Sequence, residues 1–503
     1  MPMQFIDKPF TFTQPDKSQL KVLGTGNQFH ATFRTLDGFT IVKDAVSGFY
    51  HYAQLSPVGD GLQSTGIRVG AADPKVLGLT AGIEVPGPVR RALALAAPGL
   101  PRTPSRWEVR RNERRLHLQS TGPTSAIAPA PPQRPTAGNF VGLCLLIQFP
   151  DIAAAVPRAD VDDFCNKKGY SGFGNNGSVY DYFTDVSDGK LHYTNIVAPV
   201  YTTKHPRDWY TNPAIPFGQR AREMIKEALA FHLSTGFDFS RLTTDDKDYV
   251  YAVNVFYAGQ AVNNWSEGLW PHSSNLITPF TLAPHKLCFD YQITDMDDQL
   301  SLGTFCHENG HMICDFPDLY DYGYESNGDG VYCLMCAGGV TSPKNPTQIG
   351  AYLKHSAGWS SSVIGVTPGT TTVLHAGRNE FGMHRKNNGE YFIMENRNQT
   401  GRDASLTDSG LTVWHVDELG SNNNESMTPA SHYECALVQA DGRNDLEHGT
   451  NNGDRTDLFK AGQNDRLSDT TNPNSKWWDG SASGMELKNI GVAGSAITFD
   501  FGP

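Results

Sequence analysis

Between Pro98 and Gly138 the chain changes character, and that break limits what the whole can fold into. Pro98–Pro104 interrupts any regular element, Ser105–Gln119 is a short basic stretch that can be helical, and Gly122–Gly138 is rich in Pro, Ala and Thr. The last tract cannot bury enough apolar surface to build a core. Residues 98–138 therefore read as a basic, then Pro/Ala-rich linker of the kind that is cut or swings between modules. In front of it, alternating runs such as Gln28–Arg34 and Gly48–Gln54 are separated by Gly and Asp turns, which predicts a β-rich meander over 1–97.

Behind the break the pattern is different. Asn139–Pro150 (NFVGLCLLIQFP) is a continuous apolar run, suited to a strand buried on both faces. Helical spacing follows at Ser178–Thr184 and Phe217–Leu233, and Leu300–Ile313 also reads as a helix. From about Ser360 short strands alternate with polar, Gly/Asn-rich turns, as at Val413–His415, Ala436–Gln439 and Ala496–Phe501. The expected class is α+β: a front β module (1–97), the linker (98–138), a central domain (139–360) and a C-terminal β-sandwich (361–503).

Charge and composition exclude several functions. With 503 residues, 39% hydrophobic and 19% charged, the chain can bury a sizeable core. A net charge of −12 leaves no basic surplus for phosphates, so no nucleic-acid partner is expected, and anionic membranes are disfavoured too. No stretch approaches the roughly 20 apolar residues of a membrane span. The first residues lack the charged start and apolar core of a secretory signal. All eight cysteines lie between Cys144 and Cys435. They are too sparse for a disulfide scaffold, and Cys333-x-x-Cys336 has no second CxxC to complete a thiolate zinc site. Buried thiols or one or two local disulfides fit better.

The chemistry gathers at His307-Glu308-Asn309-Gly310-His311. Histidines four apart lie on one helix face, so two ring nitrogens can reach one ion. Glu308, beside them, can touch a metal-bound water rather than the metal. Zinc lowers that water's pKa towards ~7; the carboxylate can then take its proton and later pass it to a leaving amine. A five-residue HExxH also arises by chance, so its surroundings matter. Gly310 inside a helix costs about 1 kcal/mol relative to Ala, which implies a packing reason. Asp315, Asp318 and Asp321 follow closely and can supply a third ligand.

On HENGHMICDFPDLYD (307–321) the chain resembles the immune inhibitor A family of bacterial zinc metallopeptidases. SVYDYFTDVSDGKL (178–191), VYCLMCAGG (331–339), NPTQIGAYLKHSAGW (345–359), EYFIMENRNQTGRD (390–403), GLTVWHVDE (410–418) and NNGDRTDLF (451–459) also fit its pattern, and the N-terminal stretch is similar to its propeptide-like region. The resemblance implies a zincin-type, metzincin-like catalytic domain behind a propeptide, and a secreted, self-processed zinc endopeptidase acting on proteins or peptides, expected to be a monomer. It assigns His307, His311 and Asp318 as zinc ligands, Glu308 as the catalytic base and acid, and Met335 as the Met-turn residue beneath the metal. One departure is notable: relatives often carry Gly three residues after the second histidine, where this chain has Cys314 and then an extra Asp315. Asp315 is thus the rival third ligand, although the intact Pro317-Asp318-Leu319-Tyr320-Asp321 frame favours Asp318.

Tyr320 and Tyr322 can offer a phenol to a developing oxyanion, although packing of the rings is the plainer reading. Asp321, Asn327, Asp329, Asn452, Asp454 and Asp457 crowd oxygen ligands into Gly-containing loops, a setting for structural Ca²⁺ as well as for solvated turns. Two other classes compete with the endopeptidase. One is a non-catalytic, zinc-stabilised binding protein, for which Cys306 and Cys314 could close the metal; the other is a zinc hydrolase of non-peptide amides or esters.

Overall fold

A computed structural model describes residues 4–27, 29–96, 103–121, 135–262, 267–297, 299–365, 368–387, 389–423, 428 and 430–502. Most of the Pro/Ala-rich tract expected after Thr121 lies outside these residues. Strands β1 (Phe5–Thr13), β2 (Gln19–Gly26), β3 (Ala31–Thr35), β4 (Thr40–Lys43), β5 (Tyr50–Leu55) and β6 (Leu62–Arg68) form one sheet in sequence order, each antiparallel to the last. Short Gly- and Asp-containing turns make that the simplest pairing. Its core is aromatic, with Phe12, Phe33, Phe39, Tyr50 and Tyr52 buried. Trp270, from far along the chain, packs into the same cluster, its ring 5.1 Å from that of Phe10.

Two helices follow, α1 (Gly87–Ala96) and α2 (Arg106–Thr121). The second occupies the basic stretch expected to lie in the linker. At its start the Ser105 amide donates to Glu108 Oε2 at 2.7 Å, half of a capping box.

The central body runs β7 (Gly138–Gln148), α3 (Arg158–Asn166), α4 (Val179–Val186), β8 (Leu191–Thr202), α5 (Arg207–Tyr210), α6 (Gln219–Ser234), β9 (Val253–Ala258), β10 (His272–Ala283), β11 (Lys286–Met296) and α7 (Leu302–Cys314). Its five strands lie in the order β10-β11-β9-β7-β8; all neighbours are parallel except β10, antiparallel at the edge. The apolar run in β7 is buried on both sides. Cys144 and Leu146 join the core that holds α7, while Leu143, Leu145 and Ile147 face the core that holds α6. That two-sided burial is why the run shows no polar alternation. Helix α4 opens on a capping box between Ser178 and Asp181, contributing about 1 kcal/mol.

Beyond α8 (Ala351–Ser356), strands β12 (Ser362–Gly365), β13 (Thr370–His375), β14 (Glu380–Arg385), β15 (Glu390–Arg397), β16 (Gly410–Asp417), β17 (Cys435–Leu437), β18 (Leu487–Lys488) and β19 (Ala496–Phe501) form two sheets. Their orders are β12-β14-β15-β16-β17 and β13-β19-β18, and Leu374, Phe392, Met394, Val413 and Phe499 share one core between them. Arg397 at the end of β15 is fully buried; it grips Asp403 through two 2.6 Å bonds and donates to the Tyr332 carbonyl at 2.8 Å. The described residues thus form a mixed α and β structure with four sheets.

Two stability predictions follow from this packing. A Cβ added at Gly303, near the start of α7, would lie 2.1 Å from the Gly339 carbonyl oxygen. Gly303→Ala should therefore lower the thermal midpoint, by ~1–3 kcal/mol of overpacking, although Ala is the better helix former. A raised midpoint in a calorimetric melt would show that the 339 backbone yields. Glu390 is buried, which alone would raise its pKa. Hydrogen bonds from His415 and Lys386 and from the Trp478 amide outweigh this and hold it down to about 2. A depressed carboxylate stabilises the fold above its unfolded pKa and loses that contribution as pH falls through the folded value. Glu390→Gln should accordingly be less stable than the parent at neutral pH. The gap should close as pH falls from about 4.5 to about 2, the unperturbed and folded values. A gap independent of pH would contradict the assignment.

Candidate metal centre

Helix α7 is buried along nearly its whole length, and His307 and His311 point from one face of it. Each ring is oriented by a backbone carbonyl: His307 Nδ1 lies 3.0 Å from the Leu334 oxygen, and His311 Nδ1 lies 2.5 Å from the Phe316 oxygen. A carbonyl can only accept, so each Nδ1 carries the hydrogen. In the neutral rings each Nε2 is then left as a lone pair. Both Nε2 atoms face one oxygen, Asp318 Oδ1, at 3.0 Å from His307 and 3.2 Å from His311. His311 Nε2, although close, lacks hydrogen-bond geometry to it.

Ligand atoms of His307, His311 and Asp318 all fall within 4.8 Å of one another. Three acceptors crowded into a dry pocket repel unless a proton or a cation lies among them. The protein's own electrostatics register that demand. Burial pushes the His307 imidazolium down, but the hydrogen bond and charge of Asp318 outweigh it and raise the pKa. Burial likewise opposes ionisation of Asp318, yet the two imidazoles hold its carboxyl far below the usual range. Two imidazole nitrogens and one carboxylate oxygen, each oriented by another group, make a donor set suited to zinc.

The other carboxylate oxygen, Asp318 Oδ2, accepts from the Tyr322 hydroxyl at 2.9 Å. Asp315 goes elsewhere. It caps α7 in the left-handed region (φ 60°), and its amide donates back to His311 at 3.0 Å. Its carboxylate accepts from Arg110 Nε at 2.8 Å. The extra residue is absorbed in this left-handed turn, which lets Phe316 return its carbonyl to His311 and brings Asp318 under both rings. Tyr320 is buried, with its hydroxyl unpartnered and its ring 6.5 Å from that of His307.

Met335 is fully buried against α7: a Cβ on Gly310 would stand 2.8 Å from its sulfur. That contact is the packing reason for glycine inside the helix. The same turn supplies the Leu334 carbonyl to His307 and accepts the Leu319 amide at 2.8 Å through Met335. Glu308 stands outside the donor trio, and its carboxylate accepts a short hydrogen bond from Ser273 of β10. Beneath, Asn309 is locked by Tyr193 (2.7 Å) and Asn254 (2.9 Å), so the helix cannot rotate without orphaning buried amides.

Sequence reasoning missed Ser273, which lies in no motif, and Trp107. The Trp107 indole stacks on the His311 ring at 4.7 Å and 22°. The basic stretch gave a hint in its arginines at helical spacing, but nothing local indicated where they would land. All eight cysteines are buried, none lies in a disulfide, and no thiol joins the donor trio. Of the expected calcium ligands, Asp454 and Asp457 form an acidic group with Asp441. The Arg443 guanidinium already reaches Asp441 at 2.8 Å and Asp445 at 2.9 Å, and also bonds Asp454. Asp321 is spent on the amides of Gly323, Glu325 and Ser326.

No protein-family model matches the chain, and no curated protein does. Among solved structures, catalytically inactive OgpA from Akkermansia muciniphila, in complex with an O-glycopeptide (glycodrosocin) substrate, is similar at 12% identity and a TM-score of 0.22, over 55% of this chain and 74% of that one. So loose a likeness carries no chemistry across, which leaves the residues themselves to argue from. No helix among the described residues is long and apolar enough to cross a membrane.

The Tyr322–Asp318 bond gives a direct test of the donor set. Removing a group that orients a ligand commonly lowers metal affinity by about 10–100-fold. Tyr322→Phe should weaken divalent-metal binding by that order in a competitive chelator titration while the far-ultraviolet dichroism stays unchanged. Unaltered affinity would remove Asp318 from the ligand set.

Proposed function

We propose that this chain is a zinc-dependent endopeptidase in which His307, His311 and Asp318 hold the metal and Glu308 is the general base and acid. The observation that carries this reading is the buried trio with Glu308 on the same helix but outside it. Three protein donors leave a further coordination position, the arrangement of a catalytic rather than a closed structural site. When bound, zinc supplies Lewis acidity that makes water nucleophilic near neutral pH and polarises a carbonyl.

The chain's own residues do the rest. Glu308 takes the proton of the attacking water and delivers it to the departing amine nitrogen. Ser273, by donating to Glu308, holds the carboxylate in one orientation for that transfer. Tyr322 and the two backbone carbonyls hold the donors in one orientation, so little reorganisation is needed on binding. Tyr320, whose buried hydroxyl has no partner, is the phenol nearest in kind to an oxyanion donor. Sequence resemblance to the immune inhibitor A peptidases supports a protein or peptide substrate and a secreted, self-processed enzyme. The centre is closed over by Trp107, which points to a form in which α2 covers the site.

Glu308→Gln should keep zinc, measured by mass-spectrometric metal analysis, yet lose hydrolysis of a denatured-protein substrate by orders of magnitude. Substantial remaining turnover would remove Glu308 from the chemistry. In parallel, Asp318→Ala should lose metal and activity together, whereas Asp315→Ala should keep the metal. The reverse pattern would exchange their roles.

A further inference from the structure

Helix α2 lies in a trough of carboxylates. Arg106 reaches Asp245 at 3.0 Å, and its amide donates to Asp290 at 2.7 Å. Arg110 bridges Asp245 at 3.2 Å and Asp315 at 2.7 Å. Arg111 pairs with Glu434, and Arg114 with Glu418 at 2.8 Å. Arg115 donates to the carbonyls of Leu419 at 2.7 Å and Gly420 at 3.0 Å. Asp245, Asp290, Glu418 and Glu434 are all buried. Among the described residues, the ion pairs of Asp245, Glu418 and Glu434 come from α2 alone. Buried carboxylates without a cation are costly, so the trough requires positive charge from whatever fills it.

Apolar packing, by contrast, barely holds the helix. Trp107 is the one fully buried side chain within residues 103–120, and Leu116 is 63% exposed. A cavity of about 320 Å³, lined by Arg110, Arg111, Arg114, Tyr352 and Glu418 among others, leaves room beside the guanidinium groups. The path of the segment also matters. The Thr103 carbonyl accepts from Asn275 of edge strand β10 at 2.8 Å, and four residues later Trp107 lies flat on His311. Asn275 stands two residues along β10 from Ser273, which bonds Glu308, so the segment runs beside the strand and helix that carry the proposed chemistry. As a helix, α2 keeps its own carbonyls internally bonded and so withholds them from attack.

We propose that the trough filled by α2 is the substrate-binding trough, and that its acidic sockets select peptide segments rich in arginine and lysine, which α2 imitates. This rests on the peptidase reading above and adds the substrate class to it. Asp245, Asp315, Glu418 and Glu434 are then the specificity-determining groups, and the arginines of α2 occupy their sockets until the helix leaves.

The test uses the full chain. Arg111→Glu with Arg114→Glu sets like charges against Glu434 and Glu418 and should drive α2 out. Fluorescence anisotropy then compares two labelled peptides, one with the sequence of residues 105–120 and one with every arginine replaced by glutamine. In the double variant the basic peptide should bind on the order of 10-fold tighter or more, with affinity falling as salt rises. The parent should bind neither, and adding Glu434→Gln to the variant should shrink the preference. If dichroism shows the double variant unfolded, Arg111→Gln with Arg114→Gln carries the same comparison. Equal affinity for the two peptides in a folded variant overturns the proposal. Hydrolysis of matched Arg- and Gln-containing substrates separates the two readings. Cleavage with no preference for the basic peptide sinks the trough assignment alone. Charge-selective binding with no cleavage of any peptide sinks the peptidase reading alone.

Discussion

Two backbone carbonyls govern the centre. Once Leu334 and Phe316 accept from Nδ1 of His307 and His311, the tautomer is set and both Nε2 lone pairs must converge on Asp318. One carbonyl comes from the turn that places Met335 under Gly310; the other depends on the left-handed residue that ends α7. Deep burial makes these bonds strict, because a ring nitrogen that lost its carbonyl would have no water to replace it.

The same principle, satisfying buried polar groups, ties distant parts of the chain to the centre. Asn309 faces away from the donor trio into the Tyr193–Asn195–Asn254 network, which anchors α7 to β7, β8 and β9. Arg397 of the C-terminal sheets bonds the Tyr332 carbonyl just ahead of the Met335 turn. Each polar tie costs little where the alternative is an unpaired group in a dry interior. Apolar packing rather than polar pairing makes one further tie: Trp270 enters the aromatic core of the front sheet just before β10, the strand that carries Ser273.

Helix α2 works by another balance. Its docking is electrostatic, spread over several arginines and anchored by one indole, and charge reversal undoes such contacts in a way that it does not undo apolar ones. An element held like this can leave without dismantling a core. Strand β7, by contrast, is packed by apolar side chains on both faces and cannot open piecemeal.

Much of the architecture is legible in the sequence itself. Alternation marked the strands of the front sheet, the unbroken apolar run marked β7, and the four-residue spacing of His307 and His311 placed both rings on one helix face with Glu308 beside them. Those features are local: periodicity and spacing are properties of consecutive residues, and the backbone has few ways to answer them. The Pro317–Asp321 frame already favoured Asp318, but where the Asp315 carboxylate goes was not legible, because it turns on a single left-handed residue and on Arg110 arriving from 205 positions away. Nor could the sequence place Ser273 against Glu308 or Trp107 on His311, since no pattern in either segment encodes its partner. The sequence by itself determined which residues could carry the chemistry. Only the tertiary structure decided which of them meet and what covers them, because those outcomes depend on pairing buried charges across the whole chain.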